Sequence, residues 1–168
     1  GLFCLPQLVF KISAKRALEL YQGDQIKDQE LRQLPVVDSF LHYQDAKSLN
    51  PGHYISMTID GEWLRLTQSS QHNHKIHLFN DGKKLRVQIS DNTGQIITKA
   101  RLWFNDKQVS YNPDNQLFEK KVGREGLLLV DVAGDSLFYQ ITAEQNRSLL
   151  DRRLRRIGSN RVIYYIAT

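Results

Sequence analysis

Three histidines lie close together in the chain, His72, His74 and His77. On an extended strand His72 and His74 project to one face about 7 Å apart, near enough to share a metal ion if a third ligand arrives. No cysteine or glutamate stands at a recognisable ligand spacing beside them, so a solvated strand face is the better reading. Asp91, Asn92, Asp114, Asn115 and Asp135 carry oxygens of the kind calcium takes, but their spacing misses the EF-hand loop. Their neighbours are turn formers, so they read as side chains that stabilise turns. Serine, histidine and aspartate all occur, yet there is no Gly-x-Ser-x-Gly elbow and no glycine-rich phosphate loop. These residues assign no catalytic group, no metal site and no cofactor, and the chain reads as non-enzymatic.

The aromatic residues offer a different chemistry. Tyr54, Trp63, Trp103 and Tyr111 sit in strand-like runs. Trp103 alternates against Ala100, Leu102 and Phe104, so if those three are core, Trp103 faces solvent or a partner. Trp63, Trp103 and Tyr111 are therefore the candidate contact surface, with partial core packing as the ordinary alternative. The same rings can also serve as a sugar-binding platform.

Charge narrows the partners. Net charge is +5 and the isoelectric point is near 9.4, but much of the excess is local, in Arg152, Arg153, Arg155 and Arg156. No nucleic-acid-binding motif accompanies that run, so nucleic acid is not an expected partner, and a solvated helix face or linker is preferred to a lipid-headgroup grip. Asn146-Arg147-Ser148 matches a glycosylation sequon, which matters only in a eukaryotic secretory source. Cys4 is the only cysteine, so no intrachain disulfide forms. The apolar residues 2–10 are broken by Pro6, and Gly1-Leu2-Phe3 suit a lipidation cleavage site poorly; Cys4 reads as a part-buried thiol. No apolar run reaches the roughly 18 residues of a membrane-spanning helix.

The elements that position these residues read as mainly β. Residues 1–50 form a less regular N-terminal arm. Leu18 to Tyr21 is read as a strand, with a helix over 13–21 capped by Ser13 as the alternative. Residues 25–33 are a surface connection or a short helix, Leu34-Pro35-Val36-Val37 is extended, and Asp38 to Gln44 a short helical turn. Residues 51–143 are the core of an antiparallel Ig-like or prealbumin-like β-sandwich. Two alternating runs flank Asp60-Gly61, which predicts a hairpin with a type I′ turn. Strands then recur every 8 to 12 residues with no long amphipathic helix between them. Residues 144–168 are a basic, helical linker and a terminal strand leading to a following domain. The chain ends inside that apolar run and so reads as part of a longer protein.

The series Val-x-Ile-x-Asp-x-x-Gly-x-x-Ile-x-x-Ala-x-Leu-x-Phe-Asn-Asp-Lys-x-Val-x-Tyr over 87–111 resembles the prealbumin-like sandwich of carboxypeptidase-regulatory-like and α-macroglobulin-type modules. With Leu34-Pro-Val-Val-Asp-Ser-Phe40 and Pro51-Gly-His-Tyr54, it is similar to an N-terminal region of the large α-macroglobulin-like envelope proteins of Bacteroides-type bacteria. Tyr164-Tyr-Ile-Ala-Thr168 resembles the lead into a following macroglobulin domain. The resemblance covers roughly residues 34–141. It implies an extracytoplasmic cell-envelope location and a scaffold role. The partners it implies are neighbouring domains of the parent chain and, through the parent, proteases. The family's reactive Cys-Gly-Glu-Gln segment is absent, so any trapping chemistry would lie elsewhere in the parent.

Overall fold

Alternating apolar residues and turn formers divide most of this chain into strands. The computed structural model describes residues 7–40, 49–121, 125–141, 155–157 and 162–167. In chain order the elements are β1 (Gln7–Ile12), α1 (Ala14–Tyr21), α2 (Asp28–Gln33), β2 (Val36–Phe40), β3 (Gly52–Asp60) and β4 (Trp63–Gln71). Then come β5 (Lys75–Asn80), β6 (Lys84–Ser90), β7 (Ala100–Phe104), β8 (Lys107–Asn112), β9 (Leu117–Lys121), β10 (Gly126–Val132) and β11 (Asp135–Ile141). β12 (Arg155–Ile157) and β13 (Val162–Ala167) complete the set. The fold is mainly β and sandwich-like, with antiparallel sheets and two short helices. It forms two compact units, Gly1–Gln71 with Ser159–Thr168, and His72–Gly158.

The first unit is an antiparallel sheet in the order β13-β4-β3-β1-β2. One face carries Phe10, Ile55 and Gln68 side by side in register, with Ile12, His53 and Ser70 in the next row. α1 lies on this face: Ala17 and Leu20 are fully buried, and the buried Gln68 amide donates from Nε2 to the Ala17 carbonyl at 2.7 Å. A buried amide left unpaired would cost a few kcal/mol, so this bond fixes where the helix sits. Arg16 then ties α1 to α2 and to the loop between them. It holds Glu30 with two guanidinium nitrogens, Asp24 with a third contact, and the Gln25 carbonyl at 2.9 Å. The residues read as a strand at 18–21 are thus helical. Ser13 is extended (ψ 155°) and accepts from the Arg16 N–H at 3.1 Å, a cap that satisfies a helix-start donor.

The β3–β4 hairpin forms as expected, but its turn differs. Asp60 pairs with Trp63, so the loop is Gly61-Glu62. Gly61 takes φ 63° at the first central position while Glu62 stays at negative φ, the pattern of a type II′ turn. This hairpin, read as part of a sandwich core at 51–143, pairs along β1 and lies in the first unit. Asp38, read as the start of a helical turn, lies in β2, and residues 41–44 are outside the described residues. The terminal strand expected within residues 144–168 is β13, which pairs antiparallel with β4 at the edge of the first sheet.

The second unit holds the sandwich. Its strands run in the order β11-β10-β7-β8-β9-β6-β5-β12. β8 makes the corner. Residues 107–109 pair with β7, and residues 110–112 pair with β9. The strand therefore passes from one sheet to the other and brings their inner faces together. One core results, in which Leu85, Val87 and Ile89 of β6 meet Leu102 and Phe104 of β7, Leu128 and Val130 of β10, and Ile141 of β11. The helix read across 144–157 is not seen where the structure describes it: residues 155–157 form β12, on the edge of β5. That pairing gives the β5 backbone groups partners they would otherwise lack. Residues 144–154 lie outside the described residues.

Candidate interaction surface

The turns of the second unit account for the acidic residues picked out in the sequence. Asp91 Oδ1 accepts from the Thr93 N–H at 2.9 Å, the Thr93 hydroxyl at 2.7 Å and the Gln95 N–H at 2.9 Å. Those bonds, the Thr93 hydroxyl first and the Gln95 N–H next, hold its carboxyl below the usual aspartate range. Asn115 Oδ1 caps the Leu117 N–H, and the Asp114 N–H is in turn capped by Asn112. Asn92 lies exposed in the Asp91 turn. Asp135 instead faces His74, whose Nδ1 is 3.0 Å from its Oδ2.

The histidines do not converge. Residues 72–74 precede β5, and His72 Nδ1 accepts from the His74 N–H at 3.3 Å. His77 stands on the outer face of β5, between the core residues Ile76 and Leu78. Among the described residues no group of three or more candidate ligands could hold a metal ion. A His–Ser pair that sequence spacing did not suggest comes from the first unit: His53 Nδ1 and Ser70 Oγ are 2.7 Å apart across β3 and β4. At 6% and 3% exposure the two residues are closed to a substrate, and the bond serves to satisfy buried polar atoms.

The aromatic candidates separate. Trp63 is 52% exposed, beside the β3–β4 turn of the first unit. Tyr111 points inward in the second, packed against the core and meeting Phe118 edge to face at 5.1 Å between ring centroids. Trp103 stands on the outer face, half-buried, as its alternation with Leu102 and Phe104 predicts. The Tyr54 ring is buried with Val9 in the first unit, and burial raises its hydroxyl pKa. Tyr111 and Trp103 therefore occupy opposite faces of neighbouring strands and make no common platform.

What Trp103 does join is a row. Leu129 lies directly opposite it on β10, and Phe138 directly opposite Leu129 on β11. The core of this sheet uses the alternate positions Leu102, Leu128, Val130, Leu137 and Tyr139. Trp103, Leu129 and Phe138 thus form an apolar row on the outer face, where Phe138 is only 2% exposed. In the sequence, Leu127 to Val130 and Leu137 to Tyr139 are continuous apolar runs, and a strand apolar on both faces is the physical meaning of such a run. One row further along stand Arg101, Asp131 and Ser136, at the side of a groove of about 540 Å³ formed by Lys99, Ala100, the Ala133-Gly134 turn and Asp135.

Arg155 and Arg156 belong to β12. Cys4, Asn146, Arg152 and Arg153 lie outside the described residues. Among the described residues no helix is long and apolar enough to cross a membrane. No family model matches the chain, and no curated protein and no solved structure matches it.

Proposed function

We propose that this chain is a non-enzymatic structural and interaction region of a large α-macroglobulin-like cell-envelope protein. In this reading it works outside the cytoplasm by packing against neighbouring domains of its parent, which in turn meets proteases. The observation that carries the interaction role is Trp63, which the fold leaves 52% exposed at the start of β4. Tryptophan is enriched where one protein surface meets another, and an exposed ring of this size is the apolar area such a contact would cover. The turn-and-strand pattern of residues 87–111 supports the family, since Asn105-Asp106 and the Asp91 turn fall between strands in the sandwich.

Two measurements test it. The parent gene is expected to encode further sandwich domains and a Cys-Gly-Glu-Gln segment downstream; a gene without either overturns the family reading. Extended by its following domains, the chain is expected to show slower amide hydrogen exchange around Trp63 than it does alone. Saturable binding on a glycan array that is lost in Trp103→Ala would overturn the scaffold role in favour of a sugar-binding module.

A further inference from the structure

We propose that the groove beside the β10–β11 turn binds a carboxylate-bearing ligand, an acidic peptide segment, through Lys99 and Arg101. Its four charged side chains are Lys99, Arg101, Asp131 and Asp135. Both carboxylates are engaged within the protein. Asp135 lies 3.0 Å from the His74 ring, and Asp131 Oδ1 accepts the Ser136 hydroxyl at 3.2 Å. The cations are not. Arg101 stands directly opposite Asp131 in register, yet neither it nor Lys99 forms an ion pair among the described residues. Two unpaired cations on one rim of a groove lower the energy of an anion placed between them.

The size and walls of the groove select among anions. Its volume of about 540 Å³ lies within the roughly 300–1,000 Å³ of small-ligand sites, enough for a short peptide segment. Asp131 and Asp135 in the same wall repel a dianion such as phosphate more than a single carboxylate. The next row of the same face is apolar, Trp103 and Leu129 standing two residues from Arg101 and Asp131 on their strands. A carboxylate set beside an aliphatic or aromatic side chain, as in an extended acidic peptide, meets both features. The frame is preorganised, because Ala133 (φ 47°) and Gly134 (φ 84°) make the two-residue turn that joins two paired strands. The site belongs to this chain alone, so its occupancy is separable from the envelope-protein role.

The test uses the whole chain, labelled with ¹⁵N and titrated with the blocked tripeptide Asp-Leu-Gln, which carries a single carboxylate. Saturable shifts are expected at the amides of residues 99–101 and 131–136, weakening as salt rises. Arg101→Ala is expected to weaken binding roughly tenfold, and Arg101→Lys less, since the fork-shaped guanidinium is lost but the charge is kept. Lys99 and Arg101 are exposed, so an unchanged far-ultraviolet spectrum separates loss of binding from loss of fold. The proposal is overturned if the neutral tripeptide Asn-Leu-Gln binds equally, if Lys99→Ala with Arg101→Ala leaves binding unchanged, or if inorganic phosphate binds as tightly as the peptide.

Discussion

Glu119 shows how single residues hold the outer face of the second unit. Its side chain is 8% exposed, and its carboxylate meets Lys84 at 3.2 Å, Arg86 at 3.5 Å, and the amides of Asn112 and Asn115 at 3.1 and 2.6 Å. Arg86 in turn lies over the Phe79 ring, 5.6 Å from its centroid, and reaches Asp81. Hydrogen bonds from Asn112 above all, then Asn115 and Lys84, pull the Glu119 pKa below its ordinary value. A carboxyl held lower in the folded chain than in the unfolded one stabilises the fold above the unfolded value. That stability disappears as pH falls through the folded value. Glu119→Gln is therefore expected to lose about 1–2 kcal/mol at pH 7 and to lose less on further acidification than the native chain. Urea denaturation at pH 7 and pH 3 measures both; equal acid sensitivity in the two chains would remove Glu119 from the account.

At the scale of elements, the hairpin between β7 and β8 and the start of β10 are locked by one side chain. Asn105 and Asp106 take φ 49° and 65°, the positive angles of a type I′ turn. The Asn105 amide then reaches β10, accepting the Leu127 N–H at 2.9 Å and donating to the Glu125 carbonyl at 3.2 Å. A Cβ at Gly126 would overlap that amide. Gly126→Ala is expected to cost about 1–3 kcal/mol by forcing the amide aside, and much less when Asn105→Gly has already removed it. Thermal denaturation of the two single variants and the double measures the coupling, and strict additivity would show that the overlap is relieved without cost. The turn was legible in the sequence because Asn and Asp tolerate positive φ between alternating strands. The corner in β8 was not, since Lys107 to Asn112 alternates in the same way whichever sheet its residues pair with. Helix α1 was ambiguous because eight residues carry too few apolar repeats to choose between periods; the Ser13 cap and the Gln68 bond to Ala17 decide it. The groove was invisible for a different reason. Lys99 and Arg101 stand some thirty residues before Asp131 and Asp135 in the chain, and only the pairing of β7 with β10 brings them together.

For the whole molecule, the order of the chain matters more than any one contact. In sequence the second unit lies between β4 and β13, so the first sheet takes its edge strand from the far end of the chain. Composition gave no hint of this, because residues 162–167 look like any strand and their partner is set by an open edge nearly a hundred residues earlier. β13 meets β4 along six residue pairs, from Val162 with Gln68 to Ala167 with Trp63, whereas the sandwich core is drawn from β5 to β11. Removing residues 159–168 exposes the ladder edge of β4 and leaves every strand of that core its partners. The truncated chain is therefore expected to lose hydrogen-exchange protection at those amides of β4 that bond to β13 and to keep it at Val87, Leu102 and Val130. Edge strands are the least protected part of a sheet to begin with, so the informative quantity is the difference between the two units. Equal loss of protection at Val87 and in β4 would mean that the sandwich depends on β13 as well, and that the chain folds as one cooperative body.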